Sequence, residues 1–261
     1  MSIKSLIAGV LIGSLMLSFV GCKSNGDSDD VSFVINNIIE EATLQHPATN
    51  DMFYYEVYDS YVAITEYIGN SKDVIVPDMI EGLPVYVIGE GAFEESEDED
   101  DTNSNSAIET IKISKNVYSI GVEAFLNCTA LKEVSFTDVG ELPEDITAGN
   151  GVVEIGENAF EGCESLKKIT LPDSVEILGD AAFYGCTALR KINIPSKVDE
   201  IPDGFCEGCI GLRDIYISES VKKIDDSAFE EISPLAKIYG KSNSTAAEFA
   251  AKNIILFVIE Q

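Results

Sequence analysis

The sequence predicts a solenoid, a chain wound into stacked β-coils, because one apolar pattern recurs with a fixed period. An aliphatic residue that closes a V-x-x motif recurs every 23 residues, at Ile155, Leu178, Ile201 and Ile224. After each of the first three anchors, a cysteine follows at the eighth position and the strand pattern L-x-x-I-x-I begins at the eleventh. A period of about 20–29 residues with such a strand pattern is typical of solenoids, in which each coil buries its apolar face against its neighbours.

Residues 1–21 are predicted to be an export signal. Lys4 supplies the positive charge, and the apolar run Leu6–Val20 is shorter than the ~20 residues that a membrane-spanning helix needs. The run ends in FVGC at residues 19–22, which resembles the lipobox of bacterial lipoproteins and implies a diacylglyceryl group on Cys22. Two acyl chains anchor a protein firmly, whereas ordinary signal cleavage would release a secreted protein. Residues 22–52 are predicted to be the lipidated cysteine and a polar tether.

Residues 53–240 are predicted to be the repeat domain with an N-terminal cap. The segment from Phe53 to Ile80 alternates aromatic and aliphatic residues with polar ones, which predicts strands that cover the first coil. Two early coils exceed the 23-residue unit, and their extra residues fall within 94–107 and 136–152. Insertions of this kind form loops on the side of a solenoid.

The first insertion is acidic and admits two interpretations. Asp101, Asn103 and Asn105 place oxygen donors at alternating positions, which favours an irregular calcium site. The EF-hand pattern fails, because Ser106 and Lys112 stand where Gly and Glu are required. The alternative is a solvated loop extended by its like charges.

The repeat unit resembles that of the BspA-type leucine-rich repeat family of bacterial surface proteins. Residues 166–186, LKKITLPDSVEILGDAAFYGC, follow that family's pattern I-x-I-P-x-x-V-x-x-I-G-x-x-A-F-x-x-C, and the resemblance covers residues 53–261. It implies a right-handed leucine-rich-repeat solenoid, with a β-strand plus short helical turns in each ~23-residue coil. It also implies an exported, surface-exposed binding or adhesion module without catalytic chemistry. Two departures, Pro202 in place of Gly and Phe205-Cys206 in place of Ala-Phe, predict a local shift in that coil.

Residues 241–261 are predicted to form a C-terminal cap of one helix and one strand. Ser244 is a suitable N-cap for an alanine-rich helix that Asn253 ends. The run Ile254–Ile259 then reads as a final strand. A helix followed by a strand resembles the C-terminal cap of the family.

Four cysteines occupy the same slot in their coils: Cys128, Cys163, Cys186 and Cys209. Stacked strands lie about 4.7–4.9 Å apart, which is compatible with disulfide geometry in an exported protein. The slot follows a phenylalanine, so burial as free, apolar thiols is the favoured interpretation, with a disulfide or a metal as alternatives. The motif Cys206-x-x-Cys209 has no second pair or histidine beside it, which argues against zinc or redox chemistry.

Basic residues are predicted to line the outward side of the strands, because the aliphatic residues of L-x-x-I-x-I face inward. This basic stripe consists of Lys132, Lys167, Lys168, Arg190, Lys191, Arg213 and Lys237, with Tyr216 and Tyr239 beside it. One interpretation is a ligand-binding surface for an acidic protein or glycan. The other is a set of ordinary solvated charges.

The net charge excludes several classes of function. With 46 acidic and 17 basic residues the chain carries −29, which argues against binding nucleic acid or anionic headgroups. The single histidine, His46, and the lack of a nucleophile set, phosphate loop or metal cluster argue against an enzyme and give no reason to expect a cofactor. We therefore expect a lipid-anchored protein on the extracellular face of the cell membrane. Its partner would be an extracellular protein or glycan, from a host or another source, and a structural component of an envelope assembly is the alternative.

Overall fold

The computed structural model describes residues 38, 39, 41–94, 107–137 and 151–260. The predicted export signal 1–21, the lipid-attachment residue Cys22 and the candidate calcium loop around Asp101 lie outside the described residues. Within the described part of the chain, no helix combines the length and apolar character needed to cross a membrane.

The chain forms the predicted solenoid, and its strands stack in two columns. The front column, built from the L-x-x-I-x-I segments, comprises β4 (Asp73–Ile75), β7 (Thr110–Ser114), β9 (Glu133–Thr137), β12 (Lys191–Ile194), β14 (Asp214–Ile217), β16 (Lys237–Gly240) and β17 (Leu256–Ile259). The second column, built around the V-x-x-I anchors, comprises β6 (Leu83–Ile88), β8 (Ser119–Ile120), β10 (Glu154–Ile155), β11 (Ile177–Leu178), β13 (Glu200–Ile201) and β15 (Lys223–Ile224). Neighbouring strands in each column are parallel, because each coil returns the chain to the same side.

A corner of hydrogen-bonded turns joins the two columns where short helical turns were predicted. In four of the described corners two residues have left-handed backbone, which prevents a continuous helix; examples are Asn158 (φ 54°) with Gly162 (φ 69°). Corners of successive coils are also bonded to each other, as where the Phe160 N–H donates to the Ala182 carbonyl at 2.8 Å. The corner therefore acts as a third line of hydrogen bonds along the solenoid.

Glycine after the anchor allows coils to approach closely at the start of each corner. A Cβ atom on Gly179 would lie 2.3 Å from the Glu157 nitrogen and 2.4 Å from the Gly156 carbonyl carbon. A clash with backbone cannot be relieved by a rotamer change. This is the physical reason for the glycine in the repeat pattern.

One phenylalanine per coil forms a column of rings in the core. The centroids of Phe93, Phe125, Phe160 and Phe183 are 4.8–5.1 Å apart and their planes are nearly parallel. Phe205 continues the column with its ring turned 78° from that of Phe183. All of these rings are buried, so the column is the centre of a single core that runs the length of the solenoid.

An antiparallel hairpin caps the N-terminal end, as predicted for the segment after Phe53. Strands β2 (Phe53–Tyr58) and β3 (Val62–Tyr67) pair antiparallel, and β3 continues into the second column by pairing with β6. A further strand, β5 (Met79–Ile80), pairs with β6. The cap also contains β1 (Leu44–Thr49), which lies in the segment 22–52 that we predicted as tether and pairs with β2.

The cap carries a second apolar cluster on the outer side of the second column. Tyr58 stacks on Tyr61 with centroids 4.5 Å apart, and Tyr61 stacks on Tyr86 at 6.0 Å. Ile38 and Ile39 pack against this cluster. The chain ahead of β1 therefore contacts the outer face of the second column.

The C-terminal cap has the predicted helix and strand. Helix α1 (Thr245–Lys252) begins at Ser244, whose hydroxyl accepts from the Ala247 N–H, and ends at Asn253. Strand β17 then pairs parallel with β16 and closes the front column.

Both strand columns are interrupted between the same two coils, residues 166–186 and 189–209. In the other coils the residue after the anchor donates to the preceding anchor carbonyl, as Gly179 does to Ile155 at 2.7 Å. Pro202 occupies that position and has no N–H, so β13 does not pair with β11. In the front column, the Asn193 amide bonds both backbone groups of Leu171 at 2.9 Å in place of a ladder.

The predicted shift at Phe205-Cys206 is confined to the side chains. The Phe183 N–H donates to the Phe205 carbonyl and the Cys206 N–H to the Ala228 carbonyl, which is the register of the other corners. Phe205 stands in the alanine slot but still reaches the phenylalanine column, and Cys206 takes the phenylalanine slot.

All five cysteines in the described residues are buried, and none of them forms a disulfide. The four aligned thiols donate to the phenylalanine carbonyl of the preceding coil; the Cys163 thiol, for example, lies 3.2 Å from the Phe125 oxygen. Burial raises the pKa of Cys163, Cys186 and Cys206. The cysteines therefore act as small apolar core residues.

Candidate binding surface on the front column

The strand register sets which outward side chains of the front column are neighbours. One row contains Lys191, Asp214 and Lys237, and the adjacent row contains Asn193, Tyr216 and Tyr239. Glu133 is bridged to Lys168 in the same way further towards the N-terminus. The predicted basic stripe is therefore interrupted by acidic residues that belong to the same rows.

Ion pairs neutralise Lys132 and Lys168 in the N-terminal half of the stripe. Lys132 and Lys72 contact the two oxygens of Glu109 at 2.5 and 2.8 Å, and Lys168 contacts Glu133 at 2.6 Å. Lys132 and Lys72 together lower the pKa of Glu109 to about 2. These exposed pairs are screened by solvent and leave little net positive charge for a ligand.

Tyrosine rings organise the C-terminal half of the stripe. Tyr216 and Tyr239 stack with centroids 4.5 Å apart and planes 7° from parallel. The Lys191 ammonium lies 4.2 Å from the centroid of the Tyr216 ring, a cation–π contact. The Tyr239 hydroxyl donates to Asp214 at 2.9 Å, and this bond raises the pKa of Tyr239. The two rings thus stand as a rigid, half-buried ridge with Lys191 at one end.

The remaining basic residues of the stripe are exposed, and they differ in the bonds that they form. Arg190 donates from Nη1 to the Gly211 carbonyl at 3.0 Å, which holds its guanidinium along the surface. Lys167, Arg213 and Lys237 are exposed, and none of them forms an ion pair with a described residue. Apart from Lys167, the positive charge available to a ligand is therefore concentrated around the tyrosine ridge.

A cleft of about 840 Å³ adjoins this region, and the sequence reasoning missed it. It lies between the last corner and the C-terminal cap, and Arg213 and Lys237 are part of its lining. Phe229 and Phe249 form part of its apolar wall, with Leu235 at the rim. The exposed apolar residues Leu235, Ile254 and Leu256 were the available sequence signal, but only the folded cap brings them together.

No group of three or more His, Cys, Asp or Glu among the described residues is arranged to hold a metal ion. The chemistry of the surface is that of stacking, charge and hydrogen bonding. Such a surface is suited to recognition over an extended area.

Known proteins share the repeat and the fold of this chain. The sequence profile of the BspA type Leucine rich repeat region matches residues 99–142 and 140–251 in six copies. A leucine-rich cell surface protein from Faecalibacterium prausnitzii is 26% identical with a TM-score of 0.59, over 76% of this chain and 52% of that protein. The pneumococcal vaccine antigen PcpA is 20% identical with a TM-score of 0.61, over 85% of this chain and 48% of that protein. The chain thus spans about half the length of both solved proteins, and it matches none of the curated proteins with which it was compared.

Proposed function

Because the chain belongs to the BspA-type leucine-rich repeat family, we propose that it is a cell-surface-anchored lipoprotein that binds an extracellular protein or glycan. The observation that carries the proposal is the tyrosine ridge of Tyr216 and Tyr239 on the front column, with Lys191, Arg213 and Lys237 around it. Rigid aromatic and basic side chains are the residues that dominate binding energy at protein surfaces. The Faecalibacterium relative, a cell surface protein by its description, supports the location.

The anchor rests on the sequence. Cleavage before Cys22 and acylation of that cysteine would attach the chain by its N-terminal end. The interior of the solenoid is filled by its own side chains, so recognition falls to its outer surface. This supports binding rather than catalysis.

Charge reversal on the ridge tests the proposal. The exported chain, bearing Cys22→Ser so that it carries no lipid, is used to capture proteins and glycans from host surface material. Arg213→Glu with Lys237→Glu should reduce capture, because the local charge that attracts an acidic ligand is inverted, and Tyr216→Ala should reduce it further. Lys168→Glu with Arg190→Glu should have a smaller effect, since Lys168 is already paired with Glu133.

Lys222→Glu with Lys223→Glu is the matched control, because it makes the same change of charge in and beside the second column, where both lysines already pair with acidic residues. Equal capture by the ridge variants and the control would refute the ridge as the binding surface. Capture that falls as salt rises is expected for a charged contact.

A structural role in an envelope assembly is the second candidate. The exposed apolar surface around the C-terminal cleft favours it, because a large apolar patch marks a contact with another protein. It predicts stable co-purification with envelope proteins of the producing cell and no capture of host material.

A further inference from the structure

The last strand of the front column leaves one edge open. Strand β17 pairs with β16 on one side, and no described strand pairs with its other side. The Glu260 N–H donates to the Gly240 carbonyl, so alternate residues of β17 direct their backbone groups towards β16. The N–H and C=O groups of Phe257 and Ile259 therefore face the open edge.

The side chains around this edge are apolar and exposed. Ile254 is 94% exposed, Leu256 59%, Ile259 62% and Leu235 62%. Solenoid caps need a polar outer face, and sheet edges are normally protected by charges or proline. Strand β17 has neither, so the cap covers the last coil but leaves an apolar edge of its own.

Ile254, in the same apolar patch, has an unusual backbone conformation. Its φ of 58° places a β-branched residue in the left-handed region, where glycine or asparagine usually ends a helix. Strain of this kind persists where the surrounding structure or a function requires it. The left-handed turn lets the Ile255 N–H donate to the Ala250 carbonyl at 2.9 Å, which ends the helix, while the Ile254 side chain stays almost wholly exposed.

We propose that β17 pairs antiparallel with β17 of a second copy of this chain, forming a two-fold symmetric dimer. Pairing centred on Phe257 places Ile255 opposite Ile259 and Leu256 opposite Val258, so all pairs between residues 255 and 259 are apolar and no two charged residues are opposed. Head-to-tail stacking is less suited, because β4, at the other end of the front column, presents the exposed Asp73 beside Lys72. An isologous contact closes the assembly, whereas head-to-tail contacts extend it.

The dimer joins two front columns into one sheet. An antiparallel edge contact has its two-fold axis perpendicular to the sheet, so the tyrosine ridges of both copies lie on the same face. Two ridges on one face give bivalent binding to a repetitive ligand, which strengthens capture without any new contact. The dimer does not depend on the proposed ligand, and a separate experiment tests it.

Sedimentation equilibrium of the exported chain bearing Cys22→Ser tests the dimer. We expect a monomer–dimer equilibrium that strengthens with salt, because the net charge of −29 opposes association and apolar contacts are not screened. Ile259→Lys and Leu256→Lys should each raise the dissociation constant by about tenfold or more, as expected when a charge enters an apolar contact. Leu44→Lys, at an exposed apolar position of β1 at the opposite end, should leave it unchanged.

Hydrogen exchange provides the second measurement. The Phe257 and Ile259 amides should exchange slowly at concentrations where the dimer forms and quickly in the Ile259→Lys variant. A chain that stays monomeric at all concentrations overturns the proposal. So does a dimer that Ile259→Lys and Leu256→Lys leave intact, or an open series of larger assemblies.

Discussion

Asn193 offers the sharpest test of how the two halves of the solenoid are joined. Its Oδ1 accepts the Leu171 N–H at 2.9 Å, and its Nδ2 donates to the Leu171 carbonyl at 2.9 Å. Between these coils the amide side chain replaces the backbone ladder that other coils have. Asn193→Ala removes both bonds at once and leaves both Leu171 groups without their partner.

The expected cost follows from the two bonds. Each contributes about 0.5–1.5 kcal/mol net, and a group left unsatisfied costs about 1–3 kcal/mol. A cleft of about 440 Å³ beside Leu171 and Asn193 admits water to the site, which places the cost at the low end. We expect Asn193→Ala to lower the free energy of unfolding by about 2–3 kcal/mol.

Urea unfolding measures the loss, and hydrogen exchange at Leu171 locates it. Thr170→Ala is the control, because its exposed side chain neighbours the same site and should change the free energy by less than about 0.5 kcal/mol. A loss for Asn193→Ala no larger than that of the control, with the Leu171 amide still protected, would refute the idea that the side chain joins the two coils.

Four further outcomes follow from the structure. Gly179→Ala should destabilise by more than about 3 kcal/mol in urea unfolding, because its Cβ meets backbone. It should destabilise by more than Gly82→Ala, whose Cβ meets nothing within 4 Å and whose only penalty is the left-handed φ of 80°. Glu231→Gly should stabilise by about 0.5 kcal/mol, because φ is 53° there. Burial raises the pKa of Glu154 in the folded chain. The free energy of unfolding therefore falls as pH rises through the pKa of Glu154 in the unfolded chain and then through its higher pKa in the folded chain. In thermal unfolding, Glu154→Gln should be more stable than the unchanged protein at pH 7 and should have no advantage below about pH 4. None of the five described cysteines should react with a thiol reagent until the chain unfolds, after which all five should react; a smaller final number would indicate a disulfide.

The period of the apolar residues predicted the fold because each coil must bury the same side chains in the same slots. Ile155 and Ile201 are fully buried, as their anchor positions require, and Cys163 fills the core slot assigned to it. The same pattern explains the parallel register, since a coil that matches its neighbour in sequence also matches it in space. Pro202 was expected to shift its coil locally; instead, the loss of its N–H interrupts the second strand column.

Other features depended on partners that the sequence does not identify. The segment around His46 and Pro47 shows no apolar alternation, because β1 is an edge strand whose side chains are mostly exposed. The predicted basic stripe lies on or beside the front-column strands, and its charge balance depends on Glu109, Glu133 and Asp214 in neighbouring coils. The residue pattern predicts that a charged side chain faces outward from its strand. Its ion-pair partner depends on which residues of the neighbouring coils lie beside it.

The phenylalanine column gives the solenoid a regular spacing along its length. Each repeat from Phe93 to Phe183 advances the ring by about 5 Å, whether its coil has 23 residues or carries an insertion. Duplication or loss of one unit would therefore change the reach of the molecule by a single step while leaving each remaining junction chemically alike. Related chains can therefore differ in the length of their outer surface through the number of repeat units alone, with the same fold.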